Sequence, residues 1–280
     1  MEYAKICEWW TNQRIQNTNE LSAILSSYGI HFAYHSGKIE NASITYYDTR
    51  EIFTNDTVTG YTGDLRTLFE IRNSKEAFEA ILTAFDQRMP LTEDFIKQIQ
   101  KRLTENTYDT RKHQLGERPG EYKHRDYITG RDETGAPASD VAEEMDELLD
   151  ELQDVDNKNA LMAAAYFHAK FENIHPFADG NGRTGRLLMN YFLILHEHPP
   201  IVIHEQDRKS YYAALEAFDR EQELSPLVSY LQRQLEKTWT PSLERSKPEK
   251  KRMADILKEV SLSASQTHDY SQSKGKNTEC

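Results

Sequence analysis

Twelve consecutive residues, HPFADGNGRTGR at positions 175–186, combine side chains that could bind a phosphorylated ligand. Gly180 and Gly182 let the backbone come close to a ligand, and their N–H groups, with those that open a following helix, can bind an anion. Arg183 and Arg186 are three positions apart, so they lie on one side of a helical turn and can grip phosphate oxygens. These residues predict a phosphate-binding loop.

Two further side chains of this loop could take part in the reaction itself. Asp179 offers the hard oxygen ligand that Mg2+ bound to phosphates requires. His175 can accept a proton near neutral pH. Taken singly, a glycine pair is usually a connector and a histidine before proline is usually structural. Their combination within twelve residues predicts a general base and a metal ligand beside bound phosphates.

Helical periodicity dominates the elements that must position this loop, and it predicts an all-α fold of at least eight helices. We expect the loop to follow a helix that ends near Asn173 and to precede one that begins near Thr184. No stretch of any length alternates in the manner of a strand. The expected helix starts are the capping pairs Asp48–Glu51 and Asp140–Glu143, Ser74, Thr92, and Ser225 followed by Pro226.

Two segments do not follow the helical pattern. Residues 119–137 are rich in glycine and proline, and the polar part from Tyr122 to Thr129 is compatible with a short hairpin or a loop. From about Ser246 the chain becomes basic and then polar and low in complexity. We expect residues 241–280 to form a polar tail that is partly disordered.

Composition narrows the class of protein. The chain has 280 residues, of which 38% are apolar, enough for one sizeable core. Its net charge of −12 argues against a basic, nonspecific nucleic-acid binder. Cys7 and Cys280 lie at opposite ends, so no disulfide framework is indicated. The sequence contains no apolar run long enough for a membrane span and no signal-peptide pattern, so we expect a cytoplasmic protein.

The glycine-rich loop resembles the signature of the Fic family, His-x-Phe-x-Asp/Glu-Gly-Asn-Gly-Arg-x-x-Arg. Every defined position is matched, by His175, Phe177, Asp179, Gly180, Asn181, Gly182, Arg183 and Arg186. The similarity extends over roughly residues 30–240. It implies a Fic-type helical bundle with a short β-hairpin flap at about 119–137. The implied regions are an N-terminal helical region (1–90) and a catalytic core (91–240), followed by the tail.

The resemblance implies a protein adenylyltransferase, which moves AMP from ATP to a hydroxyl side chain of a target protein or of itself and releases pyrophosphate. His175 would be the general base, Asp179 would hold Mg2+ on the phosphates, and Phe177 would anchor the loop in the core. The flap would pair with an extended segment of the target. Gly182 favours AMP transfer, because kinase-like relatives have a lysine there.

The nucleotide contacts are implied in the same way. The backbone from Gly180 to Gly182, with Asn181, would form the anion hole. Arg183 would bind the β-phosphate and Arg186 the γ-phosphate.

Further along the chain, Tyr211, Tyr212 and Asp219 fall where the family lines its adenine pocket, and Tyr212 is the one expected to contact adenine. His168 lies on an apolar helix face and is expected to be structural.

An upstream segment, Ser36 to Asn41 (SGKIEN), resembles the inhibitory motif Ser/Thr-x-x-x-Glu-Gly/Asn of class II Fic proteins. The resemblance implies that Glu40, at a helix end, pairs with Arg186 and keeps it from the γ-phosphate, with Ser36 helping to hold the arrangement.

Other functions stay open at this point. The same site could remove AMP from a protein, or the chain could be a regulatory module that binds ATP. Phosphate transfer is disfavoured by Gly182. Self-association into a homo-oligomer is also left open.

Overall fold

The computed structural model describes residues 2–127 and 135–246. The chain forms one unit through Thr240 and a second from Pro241 onward. Residues 1–90 and 91–240, which the sequence assigns to two regions, both belong to the first unit. The second unit is described only over 241–246, which contain the end of a helix.

Eleven α-helices and two short 3-10 turns make up the regular structure of the described residues, which contain no strand. The helices are α1 (Glu2–Thr11), α2 (Thr18–Glu40), α3 (Tyr46–Asn55), α4 (Leu65–Asp86), α5 (Glu93–Thr104), α6 (Thr110–Gln114), α7 (Val141–Glu151), α8 (Ala160–Ile174), α9 (Asn181–Leu195), α10 (Arg208–Glu221) and α11 (Ser225–Arg245). The 3-10 turns are Asn157–Asn159 and Glu205–Asp207. The predicted all-α class is therefore confirmed.

Helix α9 lies at the centre of the bundle and packs against α2, α4, α5 and α8. Its residues from Arg183 to Ile194 are all buried. A helix that is buried on every side has no solvent-facing stripe, so its position is fixed by the neighbours around it. The first turn of α9 is thereby held in a rigid setting next to the end of α8 and the end of α2.

Two of the predicted helix starts are confirmed. Thr92 caps α5, and its Oγ1 accepts a hydrogen bond of 3.3 Å from the N–H of Phe95. Helix α11 begins at Ser225, followed by Pro226 at a position where a missing N–H costs no intrahelical bond.

The capping pairs are placed differently from the prediction. Helix α3 is capped by Thr45, whose Oγ1 accepts from the N–H of Asp48 at 3.1 Å, so the cap lies three residues before the predicted one. Asp140 does precede α7, but its side chain makes no capping hydrogen bond.

Ser74 was expected to begin a helix and instead lies inside α4, which starts after Asp64. The hydroxyl of Ser74 donates to the carbonyl of Glu70 at 2.8 Å. A serine that bonds the carbonyl one turn back is compatible with a helix interior, and this alternative partner explains why the prediction was wrong.

The segment predicted as a flap is only partly described. Residues 119–127 and 135–137 contain turns and bends but no strand, and residues 128–134 lie outside the described part, so the hairpin itself stays a prediction. The predicted tail beyond residue 246 also lies outside it. Within the described ranges, no helix has the combination of length and apolar character that crossing a membrane would require.

Candidate active site

The loop at 175–180 joins the end of α8 to the start of α9. His175 ends α8 in a left-handed conformation with φ of 51°, and its N–H donates to the carbonyl of Phe171 at 3.0 Å. Gly180, with φ of 83°, precedes α9. A Cβ atom at Gly180 would lie 2.6 Å from Cγ2 of Thr104, so glycine is required both for the conformation and for the close packing.

Phe177 and Asn181 fix the shape of this loop. Phe177 is fully buried, and its ring contacts those of Phe171 and Tyr122. The Asn181 amide donates to the carbonyl of Phe177 at 2.7 Å and accepts from its N–H at 2.9 Å. Both ends of this amide are bonded to the backbone of Phe177, so the side chain of Asn181 fixes the turn of the loop that precedes α9.

Helix α9 begins at Asn181, three residues earlier than the predicted Thr184. The N–H groups of Asn181, Gly182 and Arg183 therefore belong to the first helical turn, where N–H groups lack intrahelical acceptors. Together with the helix dipole they form an anion-binding end. The backbone predicted to bind phosphate therefore lies in the first turn of a helix; that it binds phosphate stays a prediction.

Arg183 is buried beside the N-terminus of α9, and part of its guanidinium has no hydrogen-bond acceptor in the described part of the chain. Its Nη2 lies 3.4 Å from Oδ1 of Asp179, and its Nη1 lies 3.8 Å from Oε1 of Glu70. Nε and Nη1 of Arg183 are buried and have no hydrogen-bond partner among the described residues. A buried guanidinium with unsatisfied donors is costly, so this side chain favours an additional anionic ligand.

Asp179 is contacted by cationic side chains from three elements. Oδ2 of Asp179 accepts from Nζ of Lys112 at 2.7 Å and from Nη2 of Arg66 at 3.0 Å. Burial raises the pKa of Asp179, but the positive charges of Arg183, Lys112 and Arg66 outweigh it and keep the pKa below its ordinary value. Asp179 is therefore an ionised carboxylate that can serve as a cation ligand.

The described residues contain no cluster of three or more His, Cys, Asp or Glu side chains that could hold a metal ion. Asp179 alone is thus no resident metal site. A single carboxylate does fit Mg2+ that arrives on nucleotide phosphates, because such ions take one or two protein ligands and complete their shell with phosphate oxygens and water.

His175 lies between the two described ends of the predicted flap. The N–H of Lys123 donates to the carbonyl of Pro176 at 2.9 Å, and that of Ala136 donates to the carbonyl of Ile174 at 3.0 Å. Burial, aided by the charge of Lys123, lowers the pKa of His175 to about 4. The imidazole is therefore neutral at pH 7 and able to accept a proton.

Arg186 is buried and bound by the last turn of α2. Its Nη2 donates to Oε1 of Glu40 at 2.7 Å and to the carbonyl of Ser36 at 3.0 Å, and its Nε donates to Oγ of Ser36 at 3.0 Å. Burial lowers the pKa of Arg186, but Glu40, Tyr211 and Glu172 together raise it by more, so the pKa lies above its ordinary value. The contact predicted between Glu40 and Arg186 is present; its inhibitory effect stays a prediction.

Gly182 makes this contact sterically feasible. A Cβ atom there would collide with Oε1 of Glu40 and would lie 2.8 Å from Nη1 of Arg186. The sequence suggested a glycine chosen for nucleotide orientation, and it missed this second requirement, because the neighbour comes from a distant helix.

The residues expected near adenine differ in accessibility. Tyr211 is fully buried, with its hydroxyl hydrogen-bonded to Nε2 of His168 at 2.6 Å. Tyr212 is 46% exposed, so it has a face that a ligand could reach. Asp219 accepts from the side-chain amide of Asn173 at 2.9 Å. Burial lowers the pKa of His168 to about 3, consistent with the structural role expected for it.

Several side chains at the site were missed by sequence reasoning. Besides Arg66 and Lys112, Gln100 of α5 donates to the carbonyl of Asp179 at 2.9 Å and accepts from the N–H of Gly120 at 2.6 Å. Gln100 thereby connects the loop to the start of the flap segment. No local pattern marks these residues, since they lie between 67 and 113 positions from Asp179 in the sequence.

Known proteins resemble this chain over the region that contains the loop. Residues 90–193 match the model of the Fic/DOC family. A protein adenylyltransferase Fic of Nematostella vectensis is 30% identical over 220 residues, which cover 77% of this chain and 49% of that protein. The protein of the same name from Drosophila willistoni is 31% identical over 208 residues, which cover 73% of this chain and 40% of that protein. The chain thus spans at most about half the length of these curated relatives.

Solved structures show the same architecture. A Fic domain containing signaling protein from Bacteroides thetaiotaomicron superposes with a TM-score of 0.72 at 25% identity, covering 86% of this chain and 94% of that one. Fic-1 from C. elegans superposes with a TM-score of 0.70 at 23% identity, covering 88% of this chain and 73% of that one, and is similar in fold.

Proposed function

This chain carries a Fic domain, and on that premise we propose that it is an autoinhibited protein adenylyltransferase. It would move AMP from ATP to a hydroxyl side chain of a target protein or of itself, with release of pyrophosphate. The observation that carries the proposal is the buried, incompletely bonded guanidinium of Arg183 at the N-terminus of α9, beside a neutral His175.

The polyphosphate would bind at the start of α9. The backbone N–H groups of Gly182 and Arg183 and the free donors of the Arg183 side chain would hold its oxygens. Asp179 would hold Mg2+ that enters with the nucleotide, and the ion would neutralise phosphate charge as it develops in the transition state. Tyr212 would contact the adenine.

His175 would supply the proton transfer. The target hydroxyl gives its proton to the neutral imidazole, its oxygen forms a bond to the α-phosphorus, and the bond to the pyrophosphate leaving group breaks. The segment at 119–137 would bring the target to this position by pairing with its backbone. The hydrogen bonds of Lys123 to Pro176 and of Ala136 to Ile174 support that role, because they attach both described ends of the segment next to His175.

Autoinhibition would act through Arg186. While Arg186 is bound to Glu40 and Ser36, its guanidinium is unavailable to the γ-phosphate, and ATP would settle with its α-phosphate misaligned. Glu40 is 37% exposed, so its carboxylate could also orient a water molecule. Removal of AMP from a modified protein is therefore the second candidate function.

Labelled ATP tests the proposal. The Glu40→Gly protein, incubated with ATP labelled at the α-phosphate, should transfer label to itself or to proteins of an extract, and His175→Ala/Glu40→Gly should not. Label that transfers only from the γ-phosphate would contradict the proposal in favour of phosphate transfer. Release of AMP from a pre-labelled protein by the wild-type chain, which keeps Glu40, without forward transfer by either protein, would favour AMP removal. ATP binding without either reaction would leave a regulatory module.

A cytoplasmic location and a protein partner complete the proposal. The net charge of −12 supports a protein target over a nucleic acid. Self-association is tested directly by the mass of the protein in solution.

A further inference from the structure

Two cationic side chains from outside the glycine-rich loop share one oxygen of Asp179. Lys112 reaches it from α6 and Arg66 from α4, at 2.7 Å and 3.0 Å from Oδ2. Arg66 is also bonded to Glu70 at 3.1 Å. Asp179 retains only 18% of its side-chain exposure, so its charge is compensated mainly by these neighbours and Arg183.

The cations around Asp179 affect how easily an anion can bind at the start of α9. A polyphosphate placed at the start of α9 lies next to Asp179, and an uncompensated carboxylate there would repel it. A bound Mg2+ removes that repulsion when it is present. In its absence, positive charge on the same carboxylate must come from the protein.

We propose that Lys112 and Arg66 take the place of the metal ion on Asp179 in the metal-free protein. They keep the site receptive to nucleotide phosphates before Mg2+ arrives, and they give up Asp179 when the ion binds. The inference rests on the proposed nucleotide-binding function and assigns two positioning residues that lie outside the glycine-rich loop.

The exposure of the two side chains supports such an exchange. Lys112 is 21% exposed and Arg66 46% exposed, whereas Arg183, the third cation on Asp179, is 5% exposed. Because Lys112 and Arg66 both reach solvent, each can leave Asp179 and be hydrated, whereas a fully buried cation would be left unpaired. The buried Arg183 stays in position in both states.

The test is the metal dependence of nucleotide affinity. The Kd of a non-transferable α,β-methylene analogue of ATP is measured for the full chain with excess Mg2+ and with excess EDTA. In Lys112→Met and in Lys112→Met/Arg66→Met, Asp179 loses its compensating charge, so the ratio of the Kd in EDTA to the Kd in Mg2+ should rise. A rise of roughly 5- to 150-fold is expected for the double variant.

Two controls separate this role from a structural one. Arg111→Met removes a positive charge from an exposed position of the same helix and should keep the wild-type ratio. Lys112→Arg keeps the positive charge, so this variant should also show the wild-type ratio of the two Kd values. An unchanged ratio in the double variant, or an equal rise in Arg111→Met, overturns the inference while leaving the proposed function intact. A wild-type protein that binds the analogue in neither buffer overturns both.

Discussion

At the scale of single residues, the site depends on which groups are charged before a ligand arrives. His175 is neutral because burial outweighs the attraction of nearby carboxylates, and its pKa falls to about 4. Asp179 is charged because three cations outweigh burial. On the proposed mechanism, a neutral base near an ionised carboxylate is the pairing that proton abstraction next to bound phosphates requires.

Replacing the base should separate catalysis from binding. His175→Ala, made in the Glu40→Gly background, should lower AMP transfer by roughly 10²–10⁴-fold, because the imidazole acts on the attacking hydroxyl. The affinity for ATP should stay within a few-fold, since the phosphates are held by α9. Transfer and equilibrium nucleotide binding are measured on the same preparations. Unreduced transfer would remove His175 from the mechanism.

Gly182 should report on the contact between α2 and α9. A methyl group at this position collides with Glu40, so Gly182→Ala should displace the carboxylate from Arg186. In urea unfolding we expect a loss of about 0.5–3 kcal/mol in the wild-type background, the usual coupling range for residues in contact. The loss should be smaller in the Glu40→Gly background, where only the close approach of the methyl group to Arg186 remains. Equal losses in both backgrounds would show that Glu40 is not what the methyl group displaces.

At the scale of elements, the last turn of α2 acts on the first turns of α9. Ser36 holds Arg186 through its hydroxyl and its carbonyl, and Glu40 holds it through its carboxylate. The 23-residue helix α2 also packs against α3 and α4, so the position of this turn is set by the bundle. An element held in this way can block a ligand contact without disturbing the catalytic loop.

Removing the Glu40 carboxylate should therefore raise activity. Glu40→Gly leaves the catalytic loop intact and frees Arg186 for the γ-phosphate. A coupling of roughly 1–3 kcal/mol corresponds to a gain of about 5- to 150-fold in the rate of AMP transfer from labelled ATP.

Arg186→Ala serves as the matched control for the Glu40 variant. It removes the inhibitory contact and the phosphate ligand together, so it should not mimic Glu40→Gly, and the double variant should resemble Arg186→Ala alone. A Glu40→Gly protein with no more transfer than wild type would contradict the inhibitory role.

At the scale of the whole molecule, buried histidines link stability to pH. Burial lowers the pKa of His168 to about 3 and that of His198 to about 4. Both values lie below the ordinary pKa, so the unfolded chain binds more protons than the folded one as the pH falls below about 6.5. These two histidines therefore contribute stability above this pH that is lost in acid.

Urea unfolding between pH 7 and pH 5 should measure that loss. Each of the two histidines should cost up to about 1.4 kcal/mol per pH unit below about 6.5. His198→Asn, which removes one titrating ring, should show a shallower decline than wild type. Identical slopes for the two proteins would mean that His198 is not buried in its neutral form.

The residues of the proposed site could be identified from the sequence because they are close together in it. The residues from His175 to Arg186 lie in one loop and the first helical turns after it, so their spacing alone puts the proposed base, carboxylate and phosphate donors near each other. The all-α fold class could also be predicted from the sequence, because helical periodicity is a property of neighbouring residues.

The helix boundaries were predicted less well than the helices themselves, because packing helps to decide where a helix starts. Ser74 carries a good capping side chain, yet α4 starts before it at Leu65, since packing of the longer helix outweighs a single hydroxyl. Asn181 likewise opens α9 three residues earlier than its neighbours suggested, because its amide is satisfied by Phe177.

The surroundings of Asp179 were decided by tertiary structure alone. Lys112, Gln100 and Arg66 lie 67, 79 and 113 residues away from it, and no sequence pattern links them. They meet at Asp179 because α4 and α5 pack on α9 and the chain after α5 leads into α6, which brings side chains from distant segments to one carboxylate. The sequence by itself determined which groups could do the chemistry; the packing of helices decided which charges surround them, since electrostatic effects depend on distance in space.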